Sequence, residues 1–232
     1  MTQVLILVFK IKMSIKKNIQ DIQNFLDTQP QKVHLVAVSK YHPIKDILSA
    51  YNAGQLAFAE SKVQDAIKKI ESPILSVYQN IHWHFIGQVQ TNKIKKICQY
   101  FNTIQSVDSQ EKLNKISSCC QALNKNINVF LQININDADR YGFSTTNLLE
   151  SSPQIQDYPN ITLNGIMVML PKINDSVKII QKCKQAHDFY SSLKTKIPTL
   201  KYLSMGMSQD YKIAIKYGSN LIRIGSGIFK ES

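Results

Sequence analysis

Eight short runs of apolar and β-branched residues, separated by segments with helical spacing, constrain the fold of this chain more than any other feature. The runs cover residues 33–40, 56–59, 81–87, 103–107, 129–135, 163–170, 202–207 and 221–229, and helix-like segments lie between them at 44–51, 61–70, 92–98, 110–123 and 177–193. Strands that alternate with helices are typical of parallel sheets, and eight such units predict a closed, single-domain (β/α)8 barrel of the TIM type, an α/β fold. An open doubly wound sheet is the alternative, but no GxGxxG fingerprint follows the first run.

The N-terminal segment is predicted to add one helix to this barrel. Isoleucines and a leucine recur at loose helical spacing over residues 14–26, a pattern that predicts an amphipathic helix. Only three residues follow the last apolar run, which ends at Phe229, so no helix is expected behind the last strand. The N-terminal helix is therefore expected to cover the flank of that strand. Residues 1–12 are expected to form a disordered or artefactual extension, and residues 13–232 the barrel. The apolar stretch 4–9 is too short to span a bilayer.

Lys40 is the first candidate for a reactive group. It follows the run VHLVAVS and precedes Tyr41-His42-Pro43, so it lies at the carboxyl end of the first predicted strand, where α/β proteins place their chemistry. A lysine withdrawn from water loses its proton more readily, and the neutral amine attacks aldehydes. The alternative is a lysine that simply extends its charged end into water.

Two loops near the end of the sequence indicate an anion site. The last predicted strand leads into Gly225-Ser226-Gly227, where glycines let backbone N–H groups approach an anion and the serine hydroxyl adds a donor; the alternative is a tight turn. Ser208 ends the loop after the seventh strand and is predicted to cap the next helix, either alone or while also holding a phosphate. Because the loops after strands seven and eight of barrels often bind phosphate together, the sequence predicts a phosphate site here.

Arg223 lies two residues before Gly225 in the last predicted strand. Alternate residues of a strand share a face, so its guanidinium is expected to point into the barrel end beside the phosphate loop. A buried arginine keeps its proton and needs a partner, which leaves an ion pair with an acidic residue as the alternative.

Charge, cysteine content and histidine spacing limit the function classes. The net charge of +12 would suit phosphates, membranes or nucleic acid, but the lysines are scattered and are not interleaved with aromatic residues, so neither specific nucleic-acid binding nor membrane association is expected. Four cysteines without CxxC spacing predict a reduced, cytoplasmic protein. His82 and His84 could form a metal pair, but packing or pocket lining is the predicted role and no metal is expected.

Seven motifs, in order along the chain, resemble the pyridoxal phosphate homeostasis proteins, whose fold is the barrel of the alanine racemase N-terminal domain. They are AVSKYHP around Lys40, AGQLAFAESKVQ from Ala53, WHFIGQVQTNK from Trp83, SVD from Ser106, GIMVM from Gly165, SMGMSQD from Ser204 and IRIGSGIF ending at Phe229. The resemblance implies a protein that binds pyridoxal 5'-phosphate (PLP) and acts without catalysis in vitamin B6 homeostasis. It also implies PLP-dependent apoenzymes as recipients of the cofactor and a monomeric or weakly associated state.

The resemblance also implies roles for individual residues. Lys40 corresponds to the lysine that holds PLP as an internal aldimine. Ser208, Gly225 and Ser226 fall on phosphate-binding positions, with serine in place of the usual threonine at 226. Arg223 falls on the arginine that faces the pyridine nitrogen. A permanently charged arginine disfavours protonation of that nitrogen, so the ring becomes a poor electron sink and the site is weak at most PLP reactions.

Ser61 and Arg140 are further departures from the family pattern. The family usually has an asparagine after the glutamate of the second strand, where it reaches the ring hydroxyl of the cofactor; here Ser61 is shorter, and a water is expected to bridge the gap. Arg140 stands in a loop where a lysine-containing motif is common, and arginine cannot form an imine as lysine does.

The alternative function is that of a PLP-dependent amino-acid racemase or a related enzyme. In this barrel type, racemisation requires a second acid/base residue on the opposite face of the cofactor, normally supplied by an additional domain. Tyr41 or Tyr141 could substitute for it, but no feature of the sequence places either residue there.

Overall fold

The computed structural model describes residues 2–135, 141–146, 148, 158–171, 173 and 175–230. Eight parallel strands form a closed barrel in sequence order: β1 His34–Val38, β2 Ala57–Glu60, β3 His82–Phe85, β4 Thr103–Val107, β5 Ile127–Ile133, β6 Ile161–Val168, β7 Tyr202–Ser204 and β8 Leu221–Ile224. The barrel closes where β8 pairs with β1, with Leu221 opposite His34 and Ile224 opposite Ala37. The predicted barrel is therefore confirmed, and the open sheet is excluded.

Helices lie between the strands on the outside of the barrel. The helices with defined bounds are α1 Thr2–Asp27, α2 Ile44–Asn52, α3 Val63–Ile70, α4 Ile94–Tyr100 with a preceding 3-10 turn Thr91–Lys93, α5 Gln110–Ala122, α6 Ser176–Lys196, α7 Tyr211–Lys216 and α8 Ser226–Phe229. Side-chain caps fix two of the starts: Ser109 accepts the N–H of Lys112 at α5, and Asp175 accepts the N–H groups of Val177 and Lys178 at α6.

Helix α1 packs beside α8, next to the seam between β1 and β8. Its buried residues recur every three or four positions, which is the spacing of one helix face; they are Ile15, Ile19, Ile22 and Leu26. Asn18 Nδ2 donates to the carbonyl oxygen of Ile228 at 2.9 Å. The helix thus covers the flank expected from the sequence, although it begins at Thr2 and not at residue 14. The division of the chain after residue 12 stays a prediction.

The last apolar run contains a strand and a helix, and not one long strand. Strand β8 ends at Ile224, and α8 begins at Ser226. Gly225, with φ −109° and ψ −80°, makes the change of direction between them. Gly225, which was expected to let the backbone approach an anion, therefore also ends the strand at the mouth of the barrel.

Two apolar clusters hold the fold together. A small cluster fills the inside of the barrel and includes Val36, Val38, Ala59, Phe130, Met167 and Leu221. A larger cluster lies between the strands and the surrounding helices. Of the helices in the described ranges, none is both long enough and apolar enough to cross a membrane.

Candidate functional site

A cavity of about 740 Å³ opens at the carboxyl ends of the barrel strands. Its lining comprises Val38, Lys40, Ile86, Met167, Met169, Pro171, Ile173, Ser176, Ile179, Met207, Ser208, Gln209, Asp210, Arg223, Gly225 and Ser226. Five of the six residues predicted from the sequence are among them, namely Lys40, Ser208, Arg223, Gly225 and Ser226. The fold thus gathers residues from three separate parts of the chain around one space.

Lys40 is presented by a tight turn that follows β1. The N–H of His42 donates to the carbonyl oxygen of Ser39 at 3.0 Å. Tyr41 has a φ of +69°, which is the left-handed conformation that a type II turn requires at its third position and that glycine or asparagine usually supplies. The Tyr41 side chain is 75% exposed, so burial of its ring does not offset this strain. Lys40 is partly buried, and its Nζ lies 5.9 Å from the centre of the Tyr41 ring.

The loops after β7 and β8 meet beside this lysine. Ser208 Oγ accepts the N–H of Gly227 at 3.0 Å. A Cβ atom on Gly227 would lie 2.9 Å from Cγ2 of Ile224 and 3.5 Å from Ser208 Oγ, so a larger residue would press against the strand end and the neighbouring loop. The side-by-side arrangement expected from the sequence is present, and phosphate binding there stays a prediction.

Ser208 does not cap the following helix, and that prediction is wrong. Helix α7 begins only after Asp210, whose Oδ1 accepts the N–H of Met207 at 2.5 Å. The Ser208 hydroxyl is turned to Gly227 instead, because the loop continues for two further residues before the helix starts. Burial raises the pKa of Asp210, while the Met207 N–H and the charge of Arg223 oppose that rise.

Arg223 is buried, with 3% of its surface exposed, and neutral acceptors bind its guanidinium. Nη1 donates to the carbonyl oxygen of Ser204 at 2.9 Å and to Ser204 Oγ at 2.6 Å. Nη2 donates to the carbonyl oxygen of Val168 at 3.0 Å and approaches Met169 Sδ at 3.5 Å. Within the described part of the chain, no carboxylate lies within 4.0 Å of this guanidinium, so the ion-pair alternative finds no partner there. Burial lowers the pKa of Arg223 to about 10, against the effect of Asp210, and the cavity therefore receives a positive charge at neutral pH.

A chain of hydrogen bonds runs from Arg223 across the inside of the barrel. Ser204 Oγ donates to Gln105 Oε1 at 2.7 Å, and Gln105 Nε2 lies 3.0 Å from His84 Nδ1. Because an amide nitrogen can only donate, His84 Nδ1 accepts and carries no proton. Burial lowers the pKa of His84 to about 3, and His82 acts in the same direction. The sequence interpretation of His84 as packing or pocket lining did not include these hydrogen bonds. The sequence signal for them is the alternation of β3, which turns His82 and His84 to one side.

Acidification is expected to destabilise the fold through His84. The unfolded chain takes up a proton near pH 6.5, whereas the folded state resists it down to about pH 3. The free energy of unfolding therefore falls as the pH falls through this window, with a slope of up to about 1.4 kcal/mol per pH unit. Burial also lowers the pKa values of His34 and His42, which adds to the slope with the same sign.

Urea unfolding of the parent and His84→Asn, from about pH 7 to about pH 4, measures this effect. Asparagine keeps an acceptor for Gln105 but does not titrate, so the slope of the variant is expected to be shallower. His187→Asn, at an exposed position on α6, is the matched control and should keep the parental slope. Equal slopes for the parent and both variants would contradict the prediction.

Comparison with known proteins assigns the chain to a family. The family model for the alanine racemase N-terminal domain matches residues 12–232. The pyridoxal phosphate homeostasis protein of Pasteurella multocida is 35% identical over 229 residues, which cover 94% of this chain and 97% of that protein. The chain belongs to the pyridoxal phosphate homeostasis protein family. The predicted family is therefore confirmed.

Solved structures agree with this family assignment. PipY of Synechococcus elongatus, in a structure with PLP bound, is 31% identical with a TM-score of 0.84, and the match covers 93% of this chain and 99% of that one. An alanine racemase of Clostridium difficile is 15% identical with a TM-score of 0.74, and the match covers 93% of this chain but 56% of the racemase. The second likeness shows the shared barrel fold alone.

Three residues considered in connection with the family resemblance do not line the cavity or lie outside the described residues. Ser61 follows β2 and is not part of the cavity lining; its carbonyl oxygen would lie 2.0 Å from a Cβ atom on Gly87, so its backbone packs against the next loop. Its contact with a cofactor stays a prediction. Tyr141 is 63% exposed and does not line the cavity either. Arg140 lies outside the described residues.

Proposed function

We propose that this protein binds PLP at the mouth of the barrel and holds it without catalysis, as a buffer or donor of vitamin B6. The observation that carries the proposal is the convergence of Lys40, Arg223 and the loops after β7 and β8 on one cavity. When bound, PLP would supply an aldehyde, with which a lysine amine forms a reversible covalent bond as one water is lost.

The donors of the cavity suit the chemical groups of this cofactor. Lys40 offers a primary amine at the end of β1, and Ser208 and Ser226 offer hydroxyl groups for a phosphate beside Gly225. Arg223 offers a buried positive charge whose hydrogen bonds go to neutral atoms. The volume of about 740 Å³ falls within the range of roughly 300–1,000 Å³ that is usual for small-molecule sites.

The same residues support holding the cofactor over racemisation. With a pKa of about 10, Arg223 stays charged at neutral pH and would disfavour a proton on a ring nitrogen placed against it, which weakens the ring as an electron sink. Racemisation also needs a second acid/base group. Neither Tyr41 nor Tyr141 lines the cavity in the described structure, and the curated relative is named a homeostasis protein.

We propose further that the protein works as a monomer in the cytoplasm and passes PLP to dependent apoenzymes. Every strand of the closed barrel, within the described residues, is paired on both sides and offers no free edge to another chain, which supports the monomer. Four free thiols, those of Cys98, Cys119, Cys120 and Cys183, are typical of a reducing compartment. The partial exposure of Lys40 supports exchange of the cofactor at the mouth.

Titration with PLP and with pyridoxal, which lacks the phosphate, tests the proposed function. PLP is expected to give an absorption band at about 420 nm, saturating at a single cofactor per chain. Pyridoxal should bind at least about tenfold more weakly, because the loops after β7 and β8 have no anion to hold. Ser226→Ala should weaken the binding of PLP but not that of pyridoxal, so the difference between the two affinities should become smaller.

The outcome decides between the two functions. Absence of a band at saturating PLP would reject the proposal, and the cavity would then be a site for an anion other than PLP. Conversion of L-alanine to D-alanine, faster than PLP alone achieves, would favour the racemase. A band without such conversion supports the cofactor-holding role.

A further inference from the structure

A buried ion pair lies directly below the turn that carries Lys40. Glu60, at the end of β2, and Lys69, on α3, approach to 2.7 Å, with 1% and 14% of their side chains exposed. Ser39 Oγ donates to the same oxygen of Glu60, also at 2.7 Å. This carboxylate therefore links β1, β2 and α3 at the base of the turn.

Lys69 makes a second bond that reaches the turn itself. Its Nζ donates to the carbonyl oxygen of Ser39 at 2.9 Å, and this oxygen also accepts the N–H of His42 at 3.0 Å. Two donors thus converge on the atom that closes the turn around Lys40. Because Tyr41 holds a left-handed φ of +69°, which costs free energy in a residue other than glycine, the turn depends on the bonds that close it.

A buried ion pair needs further acceptors for its remaining protons, but it does not require that one of them be the carbonyl oxygen that closes the Lys40 turn. Helix α3 already packs on the barrel through the buried Val63 and Ala66, and a buried ion pair adds little net stability when its desolvation is counted. Glu60 alone would neutralise Lys69. The bond to the Ser39 carbonyl is additional, and it fixes the peptide group immediately before Lys40.

We propose that Lys69, held by Glu60, is a positioning residue for Lys40: it fixes the turn so that the Lys40 amine is directed into the cavity. This inference rests on the proposed function, because it concerns the amine that would capture PLP. Lys69 does not itself line the cavity, and Glu60 holds its ammonium group. It therefore acts through the backbone of Ser39 and not as a second nucleophile.

The rate at which borohydride traps PLP on Lys40, located by mass spectrometry of the modified peptide, tests the role of Lys69. Lys69→Met removes both bonds and is expected to slow trapping by about tenfold, because the amine is no longer held in place. Lys125→Met is the matched control. Lys125 is also a partly buried lysine whose Nζ donates to backbone carbonyl oxygens, those of Cys98, Gln99 and Phe101 at 2.7, 3.0 and 2.9 Å. It lies before β5, at the amino-terminal end of the barrel.

Both variants are expected to lower the melting temperature, but Lys125→Met should trap PLP within about twofold of the parental rate. Trapping by Lys69→Met at the parental rate would overturn the positioning role while leaving the proposed function in place. If the parent itself traps no PLP, the proposed function fails, and this result is distinguishable from the first.

A second variant guards against misfolding. Lys69→Met leaves Glu60 charged, buried and without its partner, which destabilises folded proteins strongly. In Glu60→Gln/Lys69→Met the amide oxygen still accepts from Ser39 Oγ, and no charge remains buried. A recovered melting temperature together with slow trapping supports the positioning role, and parental trapping in this double variant overturns it.

Discussion

Lys40→Ala is expected to abolish the covalent capture of PLP while leaving the fold nearly unchanged. Lys40 is the one lysine among the residues that line the described cavity, so no other amine there can take its place. Its side chain is partly exposed, with Nζ 5.9 Å from the centre of the Tyr41 ring, and its removal should change the free energy of unfolding by only about 0.5 kcal/mol. The band at about 420 nm and the borohydride-stable adduct should both fall to background.

Lys62→Ala is the matched control for this experiment. Lys62 Nζ lies 5.3 Å from the centre of the same Tyr41 ring, yet Lys62 does not line the cavity. Both lysines therefore lie near the Tyr41 ring, but only Lys40 lines the cavity. Parental capture in Lys62→Ala and none in Lys40→Ala is the expected pattern. The reverse pattern would assign the reactive amine to Lys62.

Arg223→Met is expected to cause the largest loss of stability among single changes at the residues that line the cavity. The carbonyl oxygens of Ser204 and Val168 accept from the guanidinium, and methionine leaves both without this donor at a cost of about 1–3 kcal/mol each. Removal of a buried charge offsets part of that cost. The free energy of unfolding, measured in urea, should fall by about 2 kcal/mol or more. A variant as stable as the parent would show that these oxygens find other donors.

Arg223→Lys separates the charge from the geometry of the guanidinium. An ammonium group keeps the charge but does not match the fork of the guanidinium donors, so the loss of stability should lie between those of the parent and Arg223→Met. Burial favours the neutral form of a lysine. PLP binding by this variant should therefore vary with pH in a range where binding by the parent does not.

The composition of the chain agrees with this distinction between the two basic residues. Of its 28 lysines and arginines, only Arg140 and Arg223 are arginines. A chain that uses lysine almost everywhere keeps arginine at a buried position where one group donates to three oxygen atoms. The shape of the guanidinium, together with a charge that persists under burial, accounts for that choice.

Local patterns in the sequence were sufficient to predict the barrel and five of the residues that line the cavity. Each of the eight apolar runs overlaps a strand, because buried parallel strands are short, apolar and bounded by turn residues. Once the strands are placed, parallel topology brings all their carboxyl ends to one side. The positions of Lys40, Arg223 and Gly225 at the mouth of the barrel follow from that geometry alone.

Long-range contacts could not be predicted in this way. The bond between Ser204 and Gln105 joins residues 99 positions apart, and no local pattern marks either residue as a link between Arg223 and His84. Lys69 resembles any other helix lysine, and only the packing of α3 directs it to Ser39 and Glu60. The predicted cap at Ser208 failed for the same reason, since its hydroxyl bonds to the N–H of Gly227, 19 positions away.

The pairing of β1 with β8 gives the barrel a seam whose two strands are the most distant of the eight in sequence. Asn18 and Ile228, joined beside that seam, are 210 positions apart, so ring closure comes at a large entropic cost and is expected late in folding. Lys40 follows β1 on one side, and Gly225 and Ser226 follow β8 on the other. A ligand bound by residues on both sides would join the two strands of the seam. The chain would therefore bind this ligand only after β1 and β8 have paired and the barrel is closed.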